Sequence, residues 1–353
     1  MQVDLHRPVT ELAPGERLHE QVMTANDPQS GLRCVIAIHD TTRGPAFGGC
    51  RVWHYANKGA ALIDALRLSE GMSYKNALAD LPFGGGKAVV MRPPGAFDRA
   101  SLFTAFGKFV ESTGGRYITA EDVGSTTEDM RNVARQTSFV SGLPRDGRFG
   151  GDPSPKTAYG VFVAMEQAVR MHLKRSIART TVAVQGLGAV GMSLCERLHD
   201  AGASLVVADI DEARTRDANS RFGARVVSVE RILMEPCDVL APCAMGAVLN
   251  GQTVMVLNSA IVCGAANNQL AAADDGDALH DRGVLYLPDF LVNAGGIISV
   301  AREYLGQGAE TTVMQEIGGI GRRVSELLER SENRAPSRVA VSWAREKLDA
   351  VAT

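Results

Sequence analysis

The sequence predicts an α/β protein with two domains, and three observations point that way. First, 353 residues exceed what one hydrophobic core usually organises. Second, short runs rich in Val, Ile and Leu alternate with helical stretches, which is typical of parallel sheets covered on both faces. Third, a segment rich in Gly, Pro and Asp at 141–155 separates the two halves. We place the domains at 1–145 and 146–326, and we expect the helix at 327–353 to return to the first domain.

Composition and charge exclude several classes of protein. The 37 basic and 40 acidic residues give a net charge of −3, which offers neither a basic stripe for nucleic acid nor a polybasic membrane patch. The chain shows no apolar run long enough for a membrane span and no signal peptide, so we expect a cytoplasmic protein. The 6 cysteines form no Cys-x-x-Cys pair and the 7 histidines show no ligand spacing. We therefore expect buried free thiols and no metal site.

The first half of the chain predicts an α/β arrangement after an N-terminal stretch, 1–30, that gives no clear pattern. The predicted elements, in order, are a buried strand at 32–39, a strand at 50–54, a helix at 58–79, a strand after 84–87, a helix at 102–110, a strand at 116–123 and a helix at 126–136. Ser125 and Glu128 have the spacing of a capping box for the last of these helices.

Two lysines stand out in the first half. Lys75 lies near the end of an amphipathic helix, three residues after Met72, so both side chains share one helix face. Lys87 follows three glycines, which admit a substrate or another backbone because they have no Cβ. A lysine desolvated beside such a gap can serve in proton transfer. The alternative is a surface lysine after a loose turn; a phosphate-binding P-loop is excluded because Ala88 replaces the required Ser or Thr.

Asp122 is the candidate acid of the first half. It falls at the carboxyl end of the predicted strand at 116–123, just before a helix. Carboxylates between a strand end and a helix start are where α/β folds place reacting groups. The alternative is a plain turn or capping residue.

The second half predicts a parallel sheet. Its predicted elements, in order, are a helix at 157–173, a strand at 181–184, a helix through 198, strands at 205–208, 225–227, 238–241, 260–263 and 284–287, a glycine-containing helix at 293–304, and a helical tail broken near 331–337.

A Gly-x-Gly-x-x-Gly motif at 186–191 follows the first of these strands and opens a helix, and Asp209 ends the next strand. This context predicts a dinucleotide-binding βαβ unit, with the pyrophosphate at the helix N-terminus and Asp209 on the adenosine ribose. A carboxylate there favours NAD over NADP. The predicted cofactor-binding residues of the loop and of the neighbouring strand ends are Gly186, Leu187, Gly188, Ala189, Val190, Gly191, Asp209, Ile210, Cys243 and Ala244.

Seven segments, in this order along the chain, resemble the amino-acid dehydrogenase superfamily of glutamate, leucine, phenylalanine and valine dehydrogenases, and most closely the bacterial leucine dehydrogenases. They are Gly-Pro-Ala-Phe-Gly-Gly-Cys-Arg at 44–51, Gly-Met-Ser-Tyr-Lys-Asn at 71–76, Gly-Gly-Gly-Lys at 84–87, Ile-Thr-Ala-Glu-Asp-Val-Gly at 118–124, Pro-Ser-Pro-Lys-Thr-Ala-Tyr-Gly at 153–160, Ala-Pro-Cys-Ala at 241–244 and Gly-Ala-Ala-Asn-Asn-Gln at 264–269.

The resemblance implies a catalytic and oligomerisation domain followed by a Rossmann-type NAD-binding domain, with a cleft between them. It implies reversible oxidative deamination of an L-amino acid, with NAD as cofactor, to the 2-oxo acid and ammonium. Lys75 would bind the substrate carboxylate, Lys87 would act as general base, and Asp122 would shuttle protons. Further implied contacts are the backbone of Gly48 and Gly49, the side chain of Met72, one or the other of Asn267 and Asn268, and Thr157 near the nicotinamide. Family members are homo-oligomers, from dimer to octamer.

Substrate choice follows from the side-chain pocket that the resemblance assigns to Phe47, Ala120, Ile297 and Val300. No residue of this set is charged, so glutamate would lack a partner for its second carboxylate. Phe47 stands where leucine dehydrogenases usually have Leu, which shrinks the pocket. We expect a branched-chain aliphatic substrate: leucine, valine or isoleucine. The alternatives are a phenylalanine or tryptophan dehydrogenase and a non-catalytic NAD-binding protein.

Overall fold

A computed structural model describes residues 1–6, 18–143, 150–244 and 246–352. The chain forms two compact units. The first unit comprises Met1–Asp152, Ser299–Glu310 and Ala344–Thr353, and the second comprises Pro153–Ile298 and Thr311–Trp343. The domain boundary placed at 145/146 falls within 144–149, outside the described residues.

The first unit is built on a seven-stranded mixed sheet. Its strands are β1 (Gln2–His6), β2 (Gln21–Asp27), β3 (Leu32–Asp40), β4 (Ala46–Phe47), β5 (Cys50–Trp53), β6 (Gly84–Met91) and β7 (Tyr117–Ile118). The order is β1-β2-β3-β6-β4-β7, with β5 also paired to β6. Neighbours from β1 to β6 are antiparallel, whereas β4 and β5 run parallel to β6 and β7 runs parallel to β4.

Helices α1 (Lys58–Leu78) and α2 (Arg99–Glu111) pack against this sheet, followed by α3 (Thr127–Ala134). Strand β3 contacts both helices through its alternating side chains. Ile36 and Ile38 belong to one apolar cluster with the phenylalanines of α2. Val35 and Ala37 belong to a second cluster with Ala61, Ala65 and Leu68 of α1. Because side chains alternate along a strand, β3 serves both clusters and has to be apolar throughout.

Two local predictions are wrong in detail. Helix α1 is amphipathic only in its first half, because every residue from 72 to 78 is buried. The capping box of α3 is formed by Thr126 and Asp129 instead of Ser125 and Glu128. Each side chain of that box contacts the backbone N–H of the other residue, and Asp129 is also buried, so one residue caps the helix and anchors it to the core.

The three glycines before Lys87 lie inside strand β6, not in a turn before it. A Cβ on Gly84 would stand 1.8 Å from the carbonyl oxygen of Asp40, and one on Gly85 would stand 2.1 Å from the backbone nitrogen of Ser73. A Cβ on Gly86 would lie 2.8 Å from the ring of Tyr117. The missing side chains therefore let β3, α1 and β7 approach β6, and the space is filled by protein.

The second unit contains a parallel sheet of six strands in the order β10-β9-β8-β11-β12-β13. The strands are β8 (Thr181–Gln185), β9 (Ser204–Ala208), β10 (Arg225–Val226), β11 (Cys237–Pro242), β12 (Ser259–Val262) and β13 (Leu285–Tyr286). This confirms the predicted parallel sheet. The strand order reverses between β8 and β11, and crevices at such points bind ligands in open α/β sheets.

The remaining helices complete the chain. They are α4 (Ser154–Ala168), continued as a π-helix over Val169–Leu173, α5 (Ala189–Asp200), α6 (Glu212–Phe222), α7 (Thr253–Val256), α8 (Ala273–Asp281), α9 (Asp289–Val292), α10 (Gly295–Tyr304), α11 (Glu310–Gly318), α12 (Ile320–Ser331) and α13 (Pro336–Ala352). Short 3₁₀ helices occupy Ile177–Arg179 and Ile232–Met234. None of the helices described is long and apolar enough to cross a lipid bilayer.

The packing at Gly85 gives a test of stability. We expect Gly85→Ala to lower the free energy of unfolding by about 3 kcal/mol, because the new methyl group would overlap the backbone of α1. Urea unfolding followed by circular dichroism measures the change. Gly251→Ala is the control, because a Cβ there would meet open space. Equal midpoints for both variants would contradict the packing role of Gly85.

Candidate active site

Lys87 lies in the interior of the first unit. It is the fourth residue of β6, opposite Ala37 of β3, and only 3% of it is exposed. Its Nζ stands 2.7 Å from Oδ2 of Asp122. The alternative reading of Lys87 as a surface lysine is therefore wrong, and its ammonium group is held by a carboxylate.

Asp122 is fixed by the backbone around it. Glu121 forms a parallel bridge with Cys50, which brings the segment after β7 alongside β5. The hydroxyl of Ser125 accepts a hydrogen bond from the N–H of Asp122 and donates one to the carbonyl of Cys50. Ser125, predicted to cap α3, therefore pins the Asp122 turn instead. Asp122 itself is neither a free turn residue nor the helix cap.

Two cations surround the carboxylate of Asp122. Besides Lys87, Nε of Arg51 lies 3.5 Å from Oδ2. Burial by itself would raise the pKa of Asp122, but the charges of Lys87 and Arg51 outweigh it and hold that pKa well below its usual range. The carboxylate therefore stays ionised at neutral pH.

The glycines at 48 and 49 lie next to this ion pair, where a side chain would not fit. A Cβ on Gly49 would come within 2.8 Å of the Cβ of Asp122. A Cβ on Gly48 would come within 1.9 Å of the Gly86 carbonyl oxygen and 3.1 Å of Cγ of Met72. The structure thus brings Gly48, Gly49, Met72 and Asp122 together around β6.

Lys75 and Met72 both lie in the buried end of helix α1. Lys75 is 8% exposed and Met72 is 7% exposed. A buried lysine needs either a carboxylate or another hydrogen-bonding partner. The neighbouring Asn76 ties this end of the helix in place, because its Nδ2 donates to the carbonyl oxygens of Phe47 and Gly84.

The residues assigned to the side-chain pocket are all buried. Phe47 directly precedes the glycines at 48 and 49, and Ala120 lies two residues before Asp122. Val300 lies on α10 within the first unit. Ile297, three residues earlier on the same helix, belongs to the second unit. The sequence did not reveal that the ring of Phe47 packs against Phe83 and Tyr304, with centroids 5.0 Å and 5.9 Å away.

In the second unit, the three glycines of the 186–191 loop have separate roles. Gly186 has φ +94°, and a Cβ there would meet Ala244 at 2.7 Å. A Cβ on Gly191 would lie 2.0 Å from the Gly186 carbonyl oxygen, so the helix packs tightly on the turn. A Cβ on Gly188 would meet nothing within 4 Å. Gly188 is also the N-cap of α5 and no side chain caps this helix, so its first N–H groups remain available to an anion.

Asp209 directly follows strand β9 and contacts that loop. Its Oδ2 accepts the N–H of Leu187 at 2.5 Å, and its Oδ1 accepts the N–H of Asp211 at 2.8 Å. The next residue, Ile210, is 91% exposed. The carboxylate is thus fixed beside the glycine loop with an exposed apolar side chain next to it.

The adjacent residues Asn267 and Asn268 differ in their contacts. Asn293, which the sequence did not suggest, donates from Nδ2 to Oδ1 of Asn267 at 3.0 Å. Asn268 has the left-handed φ of +52°, and its N–H donates to Asp289. The hydroxyl of Thr157 donates to the Pro153 carbonyl at 3.2 Å.

Models of two protein families match the chain. Residues 19–139 match the Glu/Leu/Phe/Val dehydrogenase dimerisation domain, and residues 152–214 and 207–318 match the Glutamate/Leucine/Phenylalanine/Valine dehydrogenase family. The chain is 45% identical to leucine dehydrogenase of Bacillus subtilis (strain 168), over 89% of this chain and 86% of that one. The chain belongs to the Glu/Leu/Phe/Val dehydrogenase family. It is therefore an amino-acid dehydrogenase, and the family uses a nicotinamide cofactor.

Other relatives of this amino-acid dehydrogenase carry different substrate names. Phenylalanine dehydrogenase of Bacillus thermotolerans is 45% identical, over 83% of this chain and 78% of that one. The crystal structure of L-tryptophan dehydrogenase from Nostoc punctiforme superposes with a TM-score of 0.76 at 37% identity, covering 95% of this chain and 97% of that one. Identity alone therefore does not select the amino acid.

The cysteines of the dehydrogenase are free thiols, as predicted. Burial raises the pKa of Cys195 and of Cys243 to about 12, so both remain neutral thiols at physiological pH. Within the described ranges, no group of three or more His, Cys, Asp or Glu side chains could hold a metal ion. Cys243 lies at the carboxyl end of β11, where its N–H donates to the Gln185 carbonyl.

The ion pair of Lys87 and Asp122 predicts a specific dependence of stability on pH. The folded state lowers the pKa of Asp122, so its stabilising contribution is complete above the ordinary aspartate value and is lost as the pH falls through the folded value. We expect Asp122→Asn to cost about 3 kcal/mol at pH 7, because it leaves a buried ammonium group unpaired. The difference from wild type should shrink progressively below about pH 4.

Denaturant unfolding at several pH values measures this difference. The control is Glu128→Gln, which breaks an exposed pair with Arg131 and should cost about 0.5 kcal/mol or less. A cost for Asp122→Asn that does not change between pH 7 and the acid limit of folding would contradict the assignment.

Proposed function

We propose that this amino-acid dehydrogenase catalyses the reversible, NAD-dependent oxidative deamination of a branched-chain aliphatic L-amino acid. The observation that carries the proposal is the buried ion pair of Lys87 and Asp122 beside Gly48 and Gly49. A cation and a carboxylate that are both withdrawn from solvent suit proton transfer to and from a small polar substrate.

Lys75 is assigned to the substrate carboxylate. Lysine carries a compact ammonium group that suits a carboxylate, and Lys75 lies buried on the same helix as Met72. The backbone of Gly48 and Gly49 and the side chain of Met72 complete the contacts around the α-carbon. This arrangement holds the amino group near Asp122.

Lys87 and Asp122 are assigned to proton movement. Lys87 takes a proton from the water that adds to the oxidised α-carbon, and Asp122 passes protons to and from the nitrogen that leaves as ammonia. Nζ of Lys87 and Oδ2 of Asp122 already lie 2.7 Å apart, so a proton can pass between the lysine and the carboxylate without rearrangement of the fold.

The loop at 186–191 is assigned to NAD, and the structure fits this cofactor. The open space at Gly188 and the uncapped N-terminus of α5 suit a pyrophosphate. A bound nicotinamide ring supplies the acceptor for the substrate hydride. Asp209 would bind the ribose hydroxyls, and its negative charge disfavours the 2′-phosphate of NADP. Supporting contacts are assigned to Leu187, Ala189, Val190, Ile210, Cys243, Ala244, Asn267 and Thr157.

The substrate range is assigned from the pocket residues Phe47, Ala120, Ile297 and Val300, with Asn268 at the substrate. None of them is charged, which disfavours glutamate. Packing of Phe47 against Phe83 and Tyr304 holds its ring in place and favours small aliphatic side chains. Aromatic amino acids are the second candidate, because relatives named for phenylalanine and tryptophan are about as similar as those named for leucine.

The family model over 19–139 is described as a dimerisation domain. We accordingly propose a homo-oligomer with the first unit in its interface, and a small-molecule amino acid as its reaction partner.

A panel of L-amino acids tests the proposed function. We expect NADH formation with leucine, valine and isoleucine, slower turnover with phenylalanine, and none with glutamate. Lys87→Ala should lower kcat about 1000-fold while NAD still binds, because the general base is lost. Lys108→Ala, an exposed lysine on α2, is the control and should be unchanged.

Three outcomes would count against the proposal. Failure of every L-amino acid in the panel to support NADH formation would favour a non-catalytic NAD-binding protein. A clear preference for phenylalanine or tryptophan would favour the second candidate. Near-normal turnover of Lys87→Ala would refute its role as general base.

Cofactor preference gives a separate test. We expect Asp209→Ala to lower the ratio of kcat/KM for NAD over that for NADP about tenfold, which corresponds to ~1.4 kcal/mol. Asp217→Ala, which removes an exposed acid paired with Arg221 on α6, should leave the ratio unchanged. A wild-type ratio in Asp209→Ala would remove Asp209 from the ribose site.

A further inference from the structure

Arg51 lies between two carboxylates in the first unit. It is on β5, and its side chain is 15% exposed. Its Nη1 donates to Asp64 at 3.0 Å and 3.3 Å, to Oδ2 and Oδ1 respectively. Its Nε faces Oδ2 of Asp122 at 3.5 Å, is buried, and finds no hydrogen-bond acceptor among the described residues. One guanidinium group therefore connects helix α1 with the Asp122 turn.

The far end of Arg51 is held firmly. Asp64 accepts a hydrogen bond of 2.5 Å from the hydroxyl of Tyr55 in addition to those of Arg51. Asp64 lies on helix α1, eleven residues before Lys75. Eleven residues are close to three whole turns, so both residues lie on one face of the helix. The helix that presents Lys75 thus also anchors Arg51.

Asp122 is therefore shared by two unequal cations. Lys87 approaches its Oδ2 to 2.7 Å, whereas Arg51 stands 3.5 Å from the same oxygen. As general base, Lys87 has to be neutral at one stage of the reaction. In that state it cannot balance the negative charge of Asp122. Arginine stays protonated in proteins, so Arg51 is the permanent positive charge at this carboxylate.

We propose that Arg51 is a positioning residue of the deamination site: anchored by Asp64 and Tyr55, it keeps Asp122 ionised and oriented when Lys87 is neutral. This inference rests on the proposed function, because it assumes proton transfer at Lys87 and Asp122. Without Arg51, a neutral Lys87 would leave the carboxylate buried without a countercharge, and the productive state would be disfavoured.

Other charged and titratable groups surround the pair. Glu121 precedes Asp122, Asp129 lies on α3, and the Cys50 thiol lies on β5; all three interact electrostatically with the site. Burial raises the pKa of Cys50 well above its usual value, so this thiol stays neutral. The remaining nearby acids add negative charge, which increases the need for a fixed cation.

The test compares Arg51→Gln, Arg51→Lys and the control Arg225→Gln, which removes an arginine paired with the buried Glu235 in the second unit. The first readout is the titration of the Asp122 carboxyl carbon by NMR. We expect Arg51→Gln to raise its midpoint by about 1 pH unit, because a nearby positive charge is lost. Arg51→Lys should restore the wild-type midpoint, and Arg225→Gln should not change it.

The second readout is steady-state kinetics with NAD and leucine. We expect Arg51→Gln to lower kcat about tenfold or more with little change in the KM for leucine, and to move the acid limb of the kcat/KM profile to higher pH. Arg51→Lys should recover the pH profile and part of kcat, since its single ammonium group cannot bridge both carboxylates. Asp64→Asn, which loosens the anchor and keeps the charge of Arg51, should lower kcat without moving the Asp122 midpoint.

Each result bears on the proposal. An unchanged Asp122 midpoint in Arg51→Gln, or unchanged kcat, or an equal loss in Arg225→Gln, would overturn it. If wild type deaminated no amino acid, the proposed function would fail, and the NMR titration would still decide whether Arg51 controls Asp122. If Arg51→Gln did not fold, Arg51→Lys and Asp64→Asn would decide, because wild-type kcat in both would overturn the positioning role.

Discussion

The buried ion pair between Lys87 and Asp122 is the interaction on which the rest of the first unit depends. Two opposite charges out of water are stable only at close range and with their remaining groups satisfied. The strand, the turn and the helix around the pair all serve this requirement. Glycines let β6 lie against its neighbours, and Ser125 fixes the Asp122 turn to Cys50. Arg51 adds a second cation held from behind by Asp64.

The second unit is distinguished by the glycine loop at 186–191. In the proposed function this unit binds an anionic dinucleotide, which needs exposed N–H groups and room for its phosphates. Gly188 faces open space, while Gly186 and Gly191 are required by backbone approaches of less than 3 Å. The same residue type thus leaves open space at one position and permits close packing at two others, and only the surroundings of each glycine distinguish these positions.

Substrate selection is a finer matter than fold or chemistry. Relatives named for leucine, phenylalanine and tryptophan are all 42–45% identical to this chain, so the shared machinery does not separate them. In the proposed function, the choice depends on a few apolar side chains, where one methylene changes discrimination by only about 1–3 kcal/mol. We propose that the cluster of Phe47, Phe83 and Tyr304, whose rings contact one another, limits the size of the side chain that is accepted.

The resemblance to the amino-acid dehydrogenases grouped the two lysines with Asp122 as one candidate site. The sequence alone determined the class of fold, the order of the principal strands and helices, and the glycine loop with Asp209. These follow from periodicity, glycine spacing and motifs, which are local properties of the chain. Only the tertiary structure decided that Lys87 is buried and paired, and that neighbouring segments occupy the space beside the glycines of β6. It also decided that Thr126 rather than Ser125 caps α3, and that Arg51 joins Asp64 to Asp122. The reason is that an ion pair, a close approach and an aromatic cluster join residues far apart along the chain, and no local pattern records which of them meet.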